Sequence, residues 1–350
     1  MKYLLLTTLL ASPVAAQDAL IEAARTEPPL TVYDSTGKIV GMAEAFAAKY
    51  GLKATGTKAN AVQTLEIVAR EAQAGNVQTD VAIIADAPAV MAELIQPGHA
   101  TSYAPDMEIP EIYRDPLTVV MAPNVWAYNT DLFDTCPITN IWQLTLPEWR
   151  GRVAMQDPLG KPSYTDWFNQ MATHGDDAMA AAYQAQFGQP IERATEAWVK
   201  ALAANAPLLT DSDSAAADAV GAPDQKDAFI GLISTAKFRD NADGMKLGLC
   251  DTVGPWVGWG YPSIAVIAAG TDSPNAAKLF LHYIMTGEGI APQAQDGKIS
   301  TNAANALPAD EPSGVGAVQD RIFGYDAATA MDDWDARQDW QDLWAMSLSR

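Results

Sequence analysis

The chain is poor in the residues on which much protein chemistry depends. Its three histidines, His99, His174 and His282, are spread along 350 residues, so a site of clustered imidazoles has little to draw on. Two cysteines, Cys136 and Cys250, are too few for a thiolate metal site. Positive charge is scarce: 22 Lys and Arg stand against 43 Asp and Glu, for a net charge of −21. A surface of that sign repels phosphate backbones and argues against nucleic-acid binding. No run of 18 apolar residues is present to span a bilayer. There is no GxSxG elbow, Walker loop or HExxH, and no complete GxGxxG around Gly258 and Gly260. No enzymatic activity is expected, and no cofactor. Internal repeats and low-complexity linkers are also missing.

What is present is apolar residue in quantity, 49% of a length that exceeds one ordinary core, so two lobes are expected. The first sixteen residues read as an export signal: Lys2, the apolar run Tyr3 to Ala11, Pro13, then small residues through Ala16 before Gln17. No cysteine follows that run, so no lipid anchor is expected on the mature N-terminus. The expected product is soluble in the periplasm, where Cys136 and Cys250 can pair across a long loop or stay as two buried thiols.

Along the mature chain, Leu30 to Tyr33 reads as a buried strand and Val40 to Tyr50 as a helix with Met42, Phe46 and Tyr50 on one face, stopped by Gly51. A strand over 52–57, a helix over 60–74 and a strand over 80–84 continue the alternation of a parallel sheet covered on both faces. From Pro116 the rhythm changes to extended stretches over 117–121 and 125–128, suited to a crossing between lobes. A second α/β set then follows: strand 152–155, helix 164–173, helix 198–205, strand 207–209 and strand 229–233. An apolar run over 263–269 and a helix over 274–285 complete it. In the C-terminal stretch 327–346, Trp340 and Trp344 share a helical face with spacing suited to docking on a lobe; Trp334 lies nearby. Asp240 to Gly244 resembles the start of a calcium loop but has no glutamate at the twelfth position, which removes it.

Several segments in this order resemble the periplasmic solute-binding components of ABC importers, in the type II group that includes ferric-ion, thiamine, polyamine and phosphorylated-solute binders. They are Leu30–Ser35, Ala45–Gly51, Thr79–Val81, Ala127–Leu132, Leu146–Val153, Gln156–Pro158 and Ala276–Phe280, covering nearly the whole mature chain. The resemblance implies two mixed-sheet α/β lobes joined by a two-strand hinge that closes on a solute. Lobe 1 is expected from 17–118 and 236–305, and lobe 2 from 119–235 and 306–350. The implied partners are a small solute and an inner-membrane ABC permease, and a monomer is expected. Ferric-binding relatives use an early histidine, a glutamate after the third strand and adjacent tyrosines. Here those positions hold Ser35-Thr36, Ala85 or Asp86, and Ser234-Thr235, which disfavours direct ferric binding.

In their place the turn Ser35-Thr36-Gly37-Lys38 joins a strand end to a helix start, where free amides and the helix dipole favour an anion. The loop running into Ser163, Tyr164 and Thr165 offers a counterpart in the second lobe. The residues read as clasping one oxyanion, although Ser35 and Ser163 also suit plain helix capping. Asp211 or Asp213, with Ser212 between them, can pair with an ammonium, and Trp256, Trp259 and Tyr261 can cover its methylenes. Together these predict a phosphonate- or phosphate-bearing solute, with 2-aminoethylphosphonate as the leading candidate. A polyamine, thiamine or ferric iron is the alternative.

Overall fold

Strand and helix alternate through the chain much as the apolar pattern requires. The computed structural model describes residues 13–348. Residues 1–12 of the expected export signal lie outside this range, and 13–16 open helix α1 (Pro13–Ala24). There follow β1 (Leu30–Asp34), α2 (Ile39–Tyr50), β2 (Ala54–Lys58), α3 (Ala61–Ala74) and β3 (Val81–Ile84). Gly51 ends α2 at φ 67°, a left-handed conformation glycine adopts without strain. Asn60 and Gln63 close a capping box at the start of α3. A short α4 (Ala87–Ala89) runs into a π-helical turn, and β4 (Ala100–Thr101) leads toward the long crossing strand β5 (Thr118–Asn129).

The second lobe contains β6 (Val153–Gln156), α5 (Pro162–His174), α6 (Asp176–Phe187), α7 (Ala194–Ala204), β7 (Leu208–Thr210), α8 (Asp213–Gly221), β8 (Ile230–Ser234) and β9 (Leu247–Leu249). Strand β10 (Gly258–Ala268) then returns to the first lobe, followed by α9 (Pro274–Ile284), α10 (Gly287–Ala294) and β11 (Ile299–Ser300). The chain ends with β12 (Ile322–Phe323) and α11 (Ala330–Leu348). Helix α8, rich in alanine, has no stripe of large apolar residues to mark it, and in α6 the stripe Met179, Tyr183 and Phe187 was overlooked among the alanines.

One hydrogen-bonded sheet runs β2-β1-β3-β10-β5-β8-β6-β7. Strands β1, β2 and β3 are parallel, as are β6, β7 and β8, and each set is the frame of one lobe. The antiparallel β5 and β10 belong to both. Ile264–Ile267 of β10 pairs with β3, whereas Asn124–Ala127 of β5 pairs with β8. Where two separate extended stretches were expected, β5 is continuous through Pro123.

Each lobe buries apolar side chains on both sheet faces. In the first lobe Val32, Phe46 and Phe280 fill one side, and Leu65, Ile84 and Val90 the other. In the second lobe Trp126, Phe168 and Trp198 fill one side, and Val220, Ile233 and Phe238 the other. The expected return to lobe 1 at residue 236 falls too early. Phe238 and Leu247 pack with Val125 and Ile233, and Cys250 and Val253 pack with Trp126, so the second lobe retains the chain until β10. The disulfide Cys136–Cys250, with Cα atoms 5.0 Å apart, lies within that lobe. The tryptophans of α11 dock as their spacing suggests: Trp344 stacks on Phe168 and Trp340 packs beside it.

Candidate functional site

The parallel strands of both lobes end toward the interlobe face, the position where open α/β sheets present ligand-binding loops. In the first lobe β1 delivers Asp34, 1% exposed. Its carboxylate accepts hydrogen bonds from Ser35 Oγ at 3.3 Å, the Thr36 amide at 3.1 Å and Gln293 Nε2 at 3.3 Å. Gln293 Oε1 in turn accepts from Lys298 Nζ at 3.0 Å. Burial raises the pKa of Asp34 and the nearby Lys298 ammonium opposes that rise; burial lowers Lys298, opposed by Asp34 and Asp296.

This arrangement corrects the expected anion nest. The donors of the turn are turned inward, onto an acid one residue upstream. Thr36 Oγ1 accepts from the Lys38 amide at 3.3 Å, Lys38 is the residue before α2, and no side chain caps that helix. Gly37 is exposed, and a Cβ there would meet only Lys58 Cδ at 3.8 Å, so no close approach requires glycine. Lys38 Nζ lies 3.6 Å from Asp296, which also takes Arg239 at 3.0 Å.

In the second lobe the loop after β6 brings in Lys161. Its Nζ donates to Gln156 Oε1 at 2.5 Å and sits 5.2 Å and 5.5 Å from the ring centroids of Tyr164 and Tyr261. Burial lowers the Lys161 pKa and the carboxylate of Asp213 raises it. Asp213, in the first turn of α8, accepts the Ser234 amide at 3.0 Å. Tyr261 of β10 stands between the lobes: burial raises its phenol, and so do the charges of Asp213 and Asp34, one from each lobe.

The remaining expected residues divide clearly. Ser163 is half-buried in the first turn of α5 and does not cap it, since Lys161 holds the cap position. Tyr164 is fully buried, its ring against Trp167 and Trp259. Thr165 is fully buried and its hydroxyl bonds back to the Pro162 carbonyl at 2.7 Å, away from any ligand. Trp259 stacks on Trp167 with centroids 5.3 Å apart, inside the core. Trp256 packs on Phe323 and against Gly175, at the far end of α5. Ser212 caps α8, and Ser234 accepts the Ala236 amide. Asp211 is exposed and lines a cavity of about 330 Å³ with Asp157, Lys161 and Thr210, while Asp213 is the acid whose charge acts on both Lys161 and Tyr261. Asp86 caps α4 and is committed to Arg337 of α11. The same guanidinium holds Asp166 of α5 at 2.7 Å and 2.8 Å, clasping the lobes together. Burial lifts Asp166 to about 7, with the carboxylates of Asp86 and Asp333 adding to the rise and Arg337 opposing it.

Sequence reasoning missed Asp34, Lys161 and Lys298 as site residues. Asp34 closes a buried strand next to the noted serine, a signal that was available. Lys298 follows α10 with nothing local to mark it.

These features define the class: a two-lobed α/β protein with a charged interlobe face crossed by two hinge strands. Residues 30–297 match the family model for bacterial extracellular solute-binding proteins, and the chain belongs to that family. The expectation of a solute-binding component of an ABC importer, and not an enzyme, agrees with that membership. A comparison with curated protein sequences gives no match. Among solved structures, iron-bound HitA from Pseudomonas aeruginosa superposes with a TM-score of 0.67 at 18% identity, covering 90% of this chain and 99% of that one. The substrate-binding protein of an ABC transporter from Agrobacterium tumefaciens gives 0.64 at 17%, covering 94% and 96%. AgtB from A. tumefaciens R10, in complex with agropinic acid, gives 0.59 at 16%, covering 92% and 99%. Such identities establish the shared fold. Among the described residues no helix is long and apolar enough to cross a membrane, and no three His, Cys, Asp or Glu side chains gather to hold a metal ion.

Proposed function

We propose that this protein captures a small organic solute carrying both an oxyanion and an ammonium, and delivers it to an ABC permease. The leading candidate is 2-aminoethylphosphonate. One observation carries the reading: two half-buried lysines, each with an aspartate nearby, stand on the interlobe face, Lys161 over the Tyr261 ring with Asp213 in the second lobe, and Lys298, linked through Gln293 to Asp34, in the first. In a chain with 22 basic residues against 43 acidic ones, such a meeting of lysines supports an anionic headgroup. The grip comes from lysine side chains and not from the two helix-start nests inferred from sequence. Each charge-assisted hydrogen bond contributes about 1.5–3 kcal/mol. Asp213, which is half-buried, supplies the complementary contact for an amine, which ordinary phosphate lacks.

Calorimetric titration tests this. 2-Aminoethylphosphonate binds, ethylphosphonate binds more weakly, and spermidine and thiamine bind weakly or not at all. Tight spermidine binding with no phosphonate response refutes it.

A second reading, ferric iron, is favoured by the phenols of Tyr164 and Tyr261 beside Asp213, which are hard oxygen donors. The iron in HitA belongs to that protein. Against the reading, the Lys161 ammonium lies over both rings, and burial with a neighbouring carboxylate keeps both phenols protonated. Ferric citrate producing a visible tyrosinate band on titration would decide for iron.

A further inference from the structure

Asn124 sits in the crossing strand β5, paired with Trp259 of β10 on one side and Ser234 of β8 on the other. Side chains paired across strands lie on the same face of a sheet. The Asn124 carboxamide therefore neighbours the Trp259 indole, two pairs along from Tyr261 opposite Ala122 and so on the same face. It is completely buried, and neither its Nδ2 nor its Oδ1 has a hydrogen-bond partner. Trp259 Nε1 is likewise unpartnered. The Tyr164 ring meets that of Trp259 edge to face, centroids 5.8 Å apart, and its hydroxyl makes no hydrogen bond of good geometry, the Gln156 backbone amide only approaching it.

Proteins rarely leave buried polar groups unmet, and still more rarely several side by side. This cluster is continuous with the interlobe face, because Tyr164 and Tyr261 share Asp213 as a neighbour and lie under the same lysine. Its chemistry is one-sided. Asn124 Nδ2, Tyr164 Oη and Trp259 Nε1 can all donate, Asn124 Oδ1 is the one group that can only accept, and no member is charged. With donors outnumbering acceptors, such a set complements the oxygens of an anion better than an ammonium.

We infer that Asn124, Tyr164 and Trp259 form an inner subsite that takes the oxygens of the solute headgroup beneath Lys161. Asn124 is then a specificity-determining residue. The inference rests on the oxyanion reading of the same face and assigns which end of the solute goes inward.

The test uses Asn124→Leu and Tyr164→Phe in the full chain, with 2-aminoethylphosphonate and ethylphosphonate as calorimetric probes and the thermal midpoint of the ligand-free protein as a second readout. Both variants weaken both probes at least tenfold and by a similar factor, since the lost contacts are to the headgroup the probes share. The midpoint holds or rises, since no internal hydrogen bond is lost. Unchanged affinity for both probes overturns the subsite while leaving the oxyanion reading intact. A midpoint lowered by several degrees also overturns it, because the groups then serve the fold. If the unmutated protein binds neither phosphonate, the oxyanion reading falls and the subsite falls with it.

Discussion

Reducing the Cys136–Cys250 disulfide should loosen one lobe and leave the other nearly as it was. The bond links residues 114 apart in sequence, and both lie in the second lobe. Closing a loop of that length removes roughly 16 cal/mol/K of chain entropy from the unfolded state, about 5 kcal/mol at 25 °C, of which some 2–4 kcal/mol is usually realised. Reduction is the cleaner perturbation, because Cys250 is fully buried and replacing it would add a packing loss. Tryptophan emission is a lobe-specific probe: of ten tryptophans, all but Trp334 lie in or against the large second-lobe cluster. In urea, with a slope of about 1–3 kcal/mol/M, the fluorescence midpoint should fall by roughly 1–2 M when reductant is added. Coincident midpoints for oxidised and reduced protein, with thiol titration confirming reduction, would refute the reasoning.

Three other outcomes are expected. Lys161→Met should weaken 2-aminoethylphosphonate by about 1.5–3 kcal/mol, roughly ten- to a hundredfold, without loss of stability, since burial already disfavours that ammonium; affinity within twofold of the unmutated protein would remove Lys161 from the site. The Asp166 carboxyl, raised in the folded state from 3.8 to about 7, favours folding when protonated, so its contribution is fully present below about pH 4 and is lost as pH rises to 7. Asp166→Asn, which does not ionise, lacks that pH dependence, so the stability difference between the two proteins should move in the variant's favour from pH 4 to 7, and a difference flat across that window in chemical denaturation would contradict this. Gly297 has φ 75°, and a Cβ there would come within 2.7 Å of Thr235 and 2.8 Å of Glu311. Gly297→Ala should therefore cost about 1–3 kcal/mol, and an unshifted thermal midpoint would show that the turn relaxes freely.

Much of the architecture was legible because it depends on local order. The apolar spacing of Met42, Phe46 and Tyr50 marks a helix wherever it packs, and Gly51 ends it by its own backbone freedom. The buried runs at Val81–Ile84 and Ile230–Ser234 read as strands for the same reason. The pairing of Cys136 with Cys250 was open between two outcomes until the fold placed their Cα atoms 5.0 Å apart.

The charged face was hardly legible, and the cause is distance along the chain. Asp34, Lys161, Asp213, Tyr261 and Lys298 come from five separate segments, and no local rule relates one to another. Sequence alone marked Ser35 and Thr36 as donors beside a helix start. Only the fold showed that Asp34 turns back and takes the Thr36 amide and the Ser35 hydroxyl itself. Trp256 illustrates the same limit: an aromatic ring suits a core as well as a ligand, and packing against Phe323 decided for the core. Periodicity and turn chemistry, being properties of neighbours in the chain, determined the alternating strands and helices, while the two-lobed carrier organisation was implied by the resemblance of several segments to a known family. Which charges face one another across the hinge was decided by tertiary structure, because electrostatic partners are chosen by proximity in space.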